Sequence, residues 1–216
     1  MTELRDRLVQ SEIDRNLAIT EGVKAEARYH DEQAENWRLD NVERKSTDDS
    51  AHVYNFMDEV GGTSARKCIE ALSAWSRREP GCSMTVVFNS PGGSVTAGLA
   101  LYDHIVALRT QGHNIRTVAM GMAASMAGVL LQAGDERLIG RGAYLLIHEI
   151  ASVTAGKMGD LEDEMVLLKK MQARIVSILA ERSKLTVEEI KRRWKRRDWW
   201  LDSDEAVSLG FADKIL

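Results

Sequence analysis

The sequence predicts an α/β fold with a parallel β-sheet, and two observations support this prediction. From about residue 51 onward, short apolar runs typical of strands alternate with longer segments whose apolar residues recur at helical spacing. The composition is 44% hydrophobic and 29% charged, which is enough to build one core in a chain of 216 residues. We therefore expect βαβ units in residues 51–216.

Residues 1–50 have a different character. Charged residues dominate this segment, and its sparse apolar positions follow the helical period only loosely. We predict a charged, helical N-terminal extension, which ends at the polar break 46–50 and carries no recognisable chemistry. Residues 51–216 form the second domain.

The first half of this domain contains two predicted strands, each followed by a helix. Residues 52–57 form the first strand, and the helix at 63–78 has apolar residues on one face and ends before Pro80-Gly81. The run 84–88 is continuously apolar, as expected for a strand that is covered on both faces. The helix at 94–108 follows, with its apolar residues on one side.

The second half continues the alternation and adds two helices. Residues 115–120 form the next strand, residues 124–133 are small and apolar as in a buried helix, and 144–147 form another buried strand. A long helix is predicted at 159–183 from its apolar face. The capping box Thr186-Val-Glu-Glu189 begins a last helix, which runs to about residue 196.

Charge and composition exclude several classes of protein. The net charge of −4 gives no electrostatic reason to bind nucleic acid or an anionic membrane, and we expect neither partner. The basic segment 191–197 is better explained as a solvated helix face, or by salt bridges to the acidic N-terminal segment, than as a nucleic-acid site. Cys68 and Cys82 lack metal-ligand spacing, and no segment has the apolar length of a signal peptide or a membrane span. We expect a cytoplasmic protein with two free thiols and no metal.

Ser125 is the first candidate catalytic residue. It lies in Gly121-Met-Ala-Ala-Ser-Met-Ala-Gly128, where small flanking residues allow a sharp turn from a strand into a helix. A serine at a helix N-terminus has free amides and the helix dipole beside it, and both favour developing negative charge. The flanks do not match the G-x-S-x-G elbow of the α/β-hydrolases. For this residue alone, a buried serine that bonds a helix carbonyl remains the competing interpretation.

His148 ends the strand predicted at 144–147, and Ser125 follows the preceding strand. Because functional residues gather at the carboxyl ends of parallel strands, the two side chains can meet at one edge of the sheet. A core or subunit-interface histidine is the competing interpretation. The remaining histidines have no matching partner, and we assign no catalytic role to them: His30, His52, His104 and His113.

A glycine pair and an aspartate complete the set of candidate catalytic residues. The turn Asn89-Ser-Pro-Gly-Gly93 follows a strand, and its glycines either let an amide point at an oxyanion or form an ordinary strand–helix turn. No Gly-Lys-Ser/Thr follows, so a P-loop is excluded. Asp198 precedes the apolar, buried run 199–201 and could reach an imidazole or pair with an arginine, with Asp202 and Asp204 as rivals. Hydroxyl, imidazole, carboxylate and amide donors are what an acyl-transfer site requires.

Several separated motifs resemble the ClpP family, the proteolytic subunits of the Clp protease, and they occur in the same order. They lie at 89–98, 121–128, 147–148, 197–201 and 205–213, and the resemblance covers roughly residues 51–216. It implies a ClpP/crotonase-like fold, a spiral of ββα units in which the helix from Gly159 is the long handle helix.

The resemblance also implies an activity, that of a serine endopeptidase which hydrolyses peptide bonds in polypeptides with a Ser-His-Asp triad. By motif, Ser125 is the nucleophile, His148 is the general base and acid, and Asp198 orients the imidazole. The amides of Gly93 and Met126 form the oxyanion hole. The chain itself needs no metal or cofactor, and ATP enters only through a partner ATPase.

Family members form homo-oligomers, so the resemblance implies a heptameric ring or double ring and a Clp ATPase as partner. Three features depart from the family pattern: Glu149-Ile150 follows His148 in place of Gln-Pro, the charged extension replaces a short axial loop, and the first strand lacks Phe-Leu-Gly. These departures resemble ClpP-like proteases of phages and prophages, which gives a second interpretation, a capsid (head) maturation protease that acts on phage capsid proteins. A crotonase-like acyl-CoA enzyme is a third interpretation, and an inactive ring scaffold is a fourth.

Overall fold

The computed structural model describes residues 47–152 and 155–216, together with Glu21, Gly22, Lys24, Arg28, Tyr29 and Gln33. The chain divides into two compact units, Met1–Lys45 and Ser46–Leu216. In the first unit the described residues are helical, and Arg28 Nε donates a hydrogen bond to Lys24 O at 3.3 Å. The predicted helical extension at 1–50 lies largely outside the described residues and stays a prediction.

The second unit is a mixed α/β structure in which strands and helices alternate, so the predicted α/β fold is confirmed. Its strands are β1 (Thr47–Asp48), β2 (Val53–Phe56), β3 (Ser83–Ser90), β4 (Asn114–Ala124), β5 (Glu136–Ile139), β6 (Tyr144–Ile147), β7 (Trp199–Leu201) and β8 (Lys214–Ile215). Its helices are α1 (Gly62–Arg78), α2 (Val95–Thr110), α3 (Met126–Leu131), α4 (Met158–Glu181), α5 (Val187–Trp194) and α6 (Ser203–Leu209). Among the helical residues that are described, no helix is long and apolar enough to cross a membrane.

A mostly parallel sheet runs through the second unit in the order β1-β2-β3-β4-β5-β8. Only β1 is antiparallel to its neighbour along this path of described strands. Strand β4 has two partners on one side, because its residues 116–119 pair with β5 and its residues 122–124 pair with β6. Strand β7 then adds to β6 in antiparallel orientation. The carboxyl ends of β4 and β6 therefore lie side by side.

Gly121 allows β4 to continue past the point where its partner changes. Its φ of 73° lies in the left-handed region that favours glycine. The side chain of Asn89 covers the irregular pairing here, since its Oδ1 accepts a hydrogen bond from Met122 N at 3.3 Å. The sequence predicts that this strand ends at residue 120, whereas it extends to Ala124. The extension places Ser125 directly after the last residue of the strand.

Apolar side chains from the helices and the sheet form the core. Its fully buried aromatic side chains are Trp75, Trp194, Phe56, Phe88 and Phe211. Burying one large apolar side chain contributes roughly 1.5–3 kcal/mol. Trp194 is the last residue of α5, so its burial fixes the chain shortly before Asp198.

Some elements differ from the sequence predictions or were not predicted. Strand β5 begins with the charged residues Glu136 and Arg137, so no apolar run marks it, and its pairing with β4 and β8 defines it. Helix α6 and strand β8 were likewise not predicted as elements. The prediction that the run 199–201 is buried is wrong for Trp200, which is 48% exposed because alternate residues of a strand face opposite sides.

Candidate active site

One cavity of about 260 Å³ contains the predicted catalytic serine and histidine. Ser125 and His148 both line it, as do Gly93 and Met126, whose amides were predicted to bind an oxyanion. Much of the remaining wall is apolar and comes from Val95, Val129, Ile147, Ile150, Ile175, Leu179 and Trp194. Such a cavity has the apolar walls and few polar groups that are typical of a binding site.

Ser125 occupies a strained turn between β4 and α3. Its φ is 54° and its ψ is −121°. Residues other than glycine rarely adopt this backbone conformation, which costs of order 1–3 kcal/mol. The turn is held in place because Ser125 N donates to Leu146 O at 2.9 Å. Its hydroxyl makes no capping bond to α3 and has no hydrogen bond to any of the described residues. The interpretation of Ser125 as a serine that bonds a helix carbonyl therefore has no support here.

Gly92 packs directly against the backbone that carries Ser125. A Cβ on Gly92 would lie 2.5 Å from Ala124 O and 2.6 Å from Ser125 Cβ, and its φ is 91°. Both the contact and the dihedral require glycine. The peptide groups of Gly92 are also bonded, because its N–H donates to Ser90 Oγ at 3.2 Å and its carbonyl accepts from Val60 N at 2.7 Å. The turn is thus fixed against the serine.

The amides of Gly93 and Met126 have no competing partner among the described turn and cap bonds. Val60 bridges to Gly93 by accepting from Ser94 N at 2.7 Å and donating to Gly92 O, which leaves the N–H of Gly93 out of the bridge. Met126 is the first residue of α3, where an amide has no acceptor within the helix. Two uncommitted donors therefore border the cavity beside Ser125, as an oxyanion hole requires.

The pairing of β6 with β7 brings His148 and Asp198 to the same end of the ladder. Ile147 and Trp199 are the last register pair, and His148 and Asp198 are the next residues beyond that pair. A second cavity, of about 240 Å³, is lined by both His148 and Asp198. The register, which sequence reasoning could not supply, therefore places Asp198 and His148 on the wall of one cavity.

The three predicted triad residues are gathered but are not joined by hydrogen bonds. Within the described part of the chain, the His148 ring has no hydrogen bond to Ser125 or Asp198, and Asp198 is exposed. The rival Asp202 caps α6, because its Oδ1 accepts from Glu205 N at 2.8 Å, and neither Asp202 nor Asp204 lines either of these two cavities. Catalytic hydrogen bonds are often long in unliganded sites and tighten when substrate binds.

Glu149, which the sequence analysis names only as a departure from the family pattern, is also a residue of this site. It lines both cavities, and its Oε2 accepts a hydrogen bond from Arg196 N at 3.1 Å. The contact joins residues 47 positions apart, so no local pattern reveals it. The only signal in the sequence is the acidic residue next to His148, where the family pattern has glutamine.

Other reactive side chains are committed elsewhere. Cys68 and Cys82 are free and buried, and burial raises the pKa of both thiols, which disfavours the nucleophilic thiolate. His113 Nε2 is hydrogen-bonded to Ser76 Oγ at 2.8 Å, so this histidine is a satisfied buried residue. In the ranges that the structure describes, no group of three or more His, Cys, Asp and Glu side chains is arranged to hold a metal ion.

Comparison with known proteins agrees with the resemblance of the motifs. The sequence profile of the Clp protease family matches residues 45–216. The chain is 37% identical over 139 residues to the ATP-dependent Clp protease proteolytic subunit 2 of Tropheryma whipplei. This aligned segment covers 63% of this chain and 75% of that protein. The chain is also 35% identical over 160 residues to the ATP-dependent Clp protease proteolytic subunit 1 of Corynebacterium glutamicum, and this alignment covers 73% of this chain and 75% of that protein. The chain therefore belongs to the Clp protease family and is a Clp-type protease.

Proposed function

We propose that this chain is a serine endopeptidase, the proteolytic subunit of an ATP-dependent Clp-type protease, with Ser125 as its nucleophile. The observation that carries the proposal is the strained backbone of Ser125 at a strand–helix turn, with its hydroxyl uncommitted and His148 on the wall of the same cavity. Strain at a non-glycine residue persists only where the surrounding structure enforces it, and such residues cluster at active sites.

In the proposed reaction, the Ser125 hydroxyl oxygen attacks the carbonyl carbon of a peptide bond while His148 accepts the hydroxyl proton. The carbonyl oxygen becomes an oxyanion and receives hydrogen bonds from the Gly93 and Met126 amides. His148 then gives its proton to the leaving amine, so that the C–N bond breaks and an acyl-enzyme ester remains. Water, activated by the same imidazole, hydrolyses the ester and restores the serine.

Asp198 orients the imidazole and stabilises its protonated form in this proposal. The register of β6 and β7 supports the assignment, because residues 148 and 198 directly follow the last pair of the ladder, Ile147 with Trp199. Two hydrogen bonds complete the triad when a polypeptide or a neighbouring subunit closes the site: the Ser125 hydroxyl donates to the His148 ring, and the ring donates to the Asp198 carboxylate.

We further propose that the chain acts as a homo-oligomeric ring that receives polypeptides from a Clp ATPase. Clp proteolytic subunits generally work in this way, and both relatives carry names that describe subunits of an ATP-dependent protease. Large apolar side chains on α4 are exposed, which favours an interface between subunits. They are Met158, Met165, Val166 and Leu167.

Labelling with a fluorophosphonate probe tests the assignment of the nucleophile. The wild-type protein should be labelled on Ser125, and Ser125→Ala should lose labelling and about a million-fold in peptidase rate. Ser208→Ala, a change at an exposed helical serine, is the matched control and should keep both. Label on another residue, or full peptidase activity in Ser125→Ala, would refute the proposal. Turnover of acyl-CoA without labelling would indicate a crotonase-like enzyme, and rings without labelling or peptidase activity would indicate a scaffold.

A further inference from the structure

We infer that Glu149 is a positioning residue of this site, which holds the segment 195–198 so that Asp198 stays against His148. The inference rests on the proposed serine peptidase function. It assigns no direct chemistry to Glu149, because the carboxylate oxygen Oε2 is bonded to the backbone of Arg196 and not to a group of the proposed triad.

The position of Glu149 follows from where the β6–β7 ladder ends. The last register pair is Ile147 with Trp199, so the pairing of the two strands stops just before His148 and Asp198. Beyond this point, the Glu149 carboxylate receives the N–H of Arg196 at 3.1 Å. The side chain of Glu149 thus joins the two segments of the protein beyond the point where their β-ladder ends.

The segment on the other side of this bond needs an external support. Arg196 has a φ of 56°, a backbone conformation that residues other than glycine rarely adopt. The other bonds of the segment return to its own helix, since Arg197 N donates to Trp194 O at 3.1 Å and Arg197 Nε donates to Arg193 O at 2.6 Å. Among these bonds, that of Glu149 is the one that ties residues 195–197 to the segment that follows β6 and contains His148.

Loss of the bond should loosen Asp198 while leaving the apolar walls of the cavity that binds the peptide in place. Without the carboxylate, the strained Arg196 would lack its acceptor, and the loop could relax away from His148. A displacement of about 1 Å in a catalytic group can cost roughly 100-fold in rate. The effect should appear in the rate of the chemical step and not in KM, because Glu149 contributes one polar side chain to the 260 Å³ cavity and its apolar walls stay intact.

Three variants separate this role from a general loss of stability. Glu149→Ala removes the acceptor, and Glu149→Gln keeps an amide oxygen in the same place but removes the charge. Glu205→Ala is the matched control, because Glu205 Oε2 accepts from a backbone N–H, that of Asp202, at the same distance of 3.1 Å but lines neither cavity with His148. We expect Glu149→Ala to react with a fluorophosphonate about 10- to 100-fold more slowly and to lose the same factor in kcat with unchanged KM. Glu149→Gln should stay near the wild-type rate, and Glu205→Ala should lower only Tm.

A double-mutant cycle with Asp198 completes the test. If Glu149 acts through Asp198, then Glu149→Ala should cost less than about twofold when Asp198→Asn is already present. A wild-type rate in Glu149→Ala, an equal loss in Glu149→Gln, or a full additional loss in the double variant would overturn the inference. A wild-type protein that takes no label on Ser125 would instead refute the proposed peptidase function, and with it the role of Glu149.

Discussion

Replacing Gly92 with alanine should displace the proposed nucleophile. A Cβ at this position would lie 2.5 Å from Ala124 O and 2.6 Å from Ser125 Cβ. Carbon and oxygen atoms normally approach to about 3.3 Å, so the backbone around Ser125 must move by roughly 0.8 Å. The φ of 91° at Gly92 adds a second penalty, because an alanine is strained there.

The size of the effect follows from these two costs. A left-handed alanine costs roughly 1–2 kcal/mol, and an extra group in a packed site costs roughly 1–3 kcal/mol. We therefore expect Gly92→Ala to lower the free energy of unfolding by about 2–5 kcal/mol. Because a shift of about 1 Å can cost 100-fold in rate, the folded variant should react with a fluorophosphonate about 100-fold more slowly.

Gly112→Ala is a matched control for the backbone cost. Its φ is 94°, and a Cβ there would meet no atom within 4 Å. This variant should lose about 1–2 kcal/mol and keep its labelling rate. Urea unfolding at one protein concentration and the labelling rate of the folded protein would compare the two. If Gly92→Ala is as stable and as reactive as Gly112→Ala, close packing does not place Ser125.

Two further predictions concern peptide preference and acid stability. The cavity walls are apolar and include Val129 and Leu179. We therefore expect peptides with an apolar residue on the acyl side of the cleaved bond to have a kcat/KM at least about 10-fold higher than peptides with an acidic residue there. Equal values of kcat/KM in a panel of fluorogenic peptides would contradict this. Burial raises the pKa of Asp213, but hydrogen bonds from Arg137 lower it by more, so it lies below its usual value. The stabilisation by Asp213 is therefore present above about pH 4 and lost as the pH falls through the lower folded-state pKa. In Asp213→Asn, Tm should fall less steeply on acidification than in the wild type, and parallel curves would refute this reasoning.

Much of the fold could be predicted because its elements leave local patterns. The strand 144–147 and the capping box at Thr186 are observed where the sequence places them, and Thr186 Oγ1 accepts from Glu189 N at 3.2 Å. Elements defined by distant partners could not be predicted in this way. Strand β5 has charged residues at its start, and the extension of β4 beyond residue 120 depends on the contact of Asn89 with Met122.

The candidate site shows the same division. Ser125 and His148 follow apolar strands, so their place at the carboxyl ends of the sheet could be inferred from sequence, and they line one cavity. The position of Asp198 depends on the antiparallel register of β7, a strand of three residues that is preceded by the charged residues 195–198. The contact of Glu149 with Arg196 depends on the same register, and no periodicity in either segment encodes it.

The two successive partners of β4 make the length of this strand critical. Since side chains alternate along a strand, one inserted residue reverses the facing of every residue after it. An insertion within 116–119 would disturb the pairing with β5 and shift everything after it, and one within 122–124 would disturb the pairing with β6; either would turn Ser125 away from His148. The exposed residues Arg141 and Gly142 lie in a turn outside the strands, so an insertion after the Arg141 carbonyl, which accepts a hydrogen bond from Ser203 Oγ at 3.0 Å, would shift no strand register. Natural length variation and engineered epitope insertions should therefore be tolerated at this turn and excluded from β4.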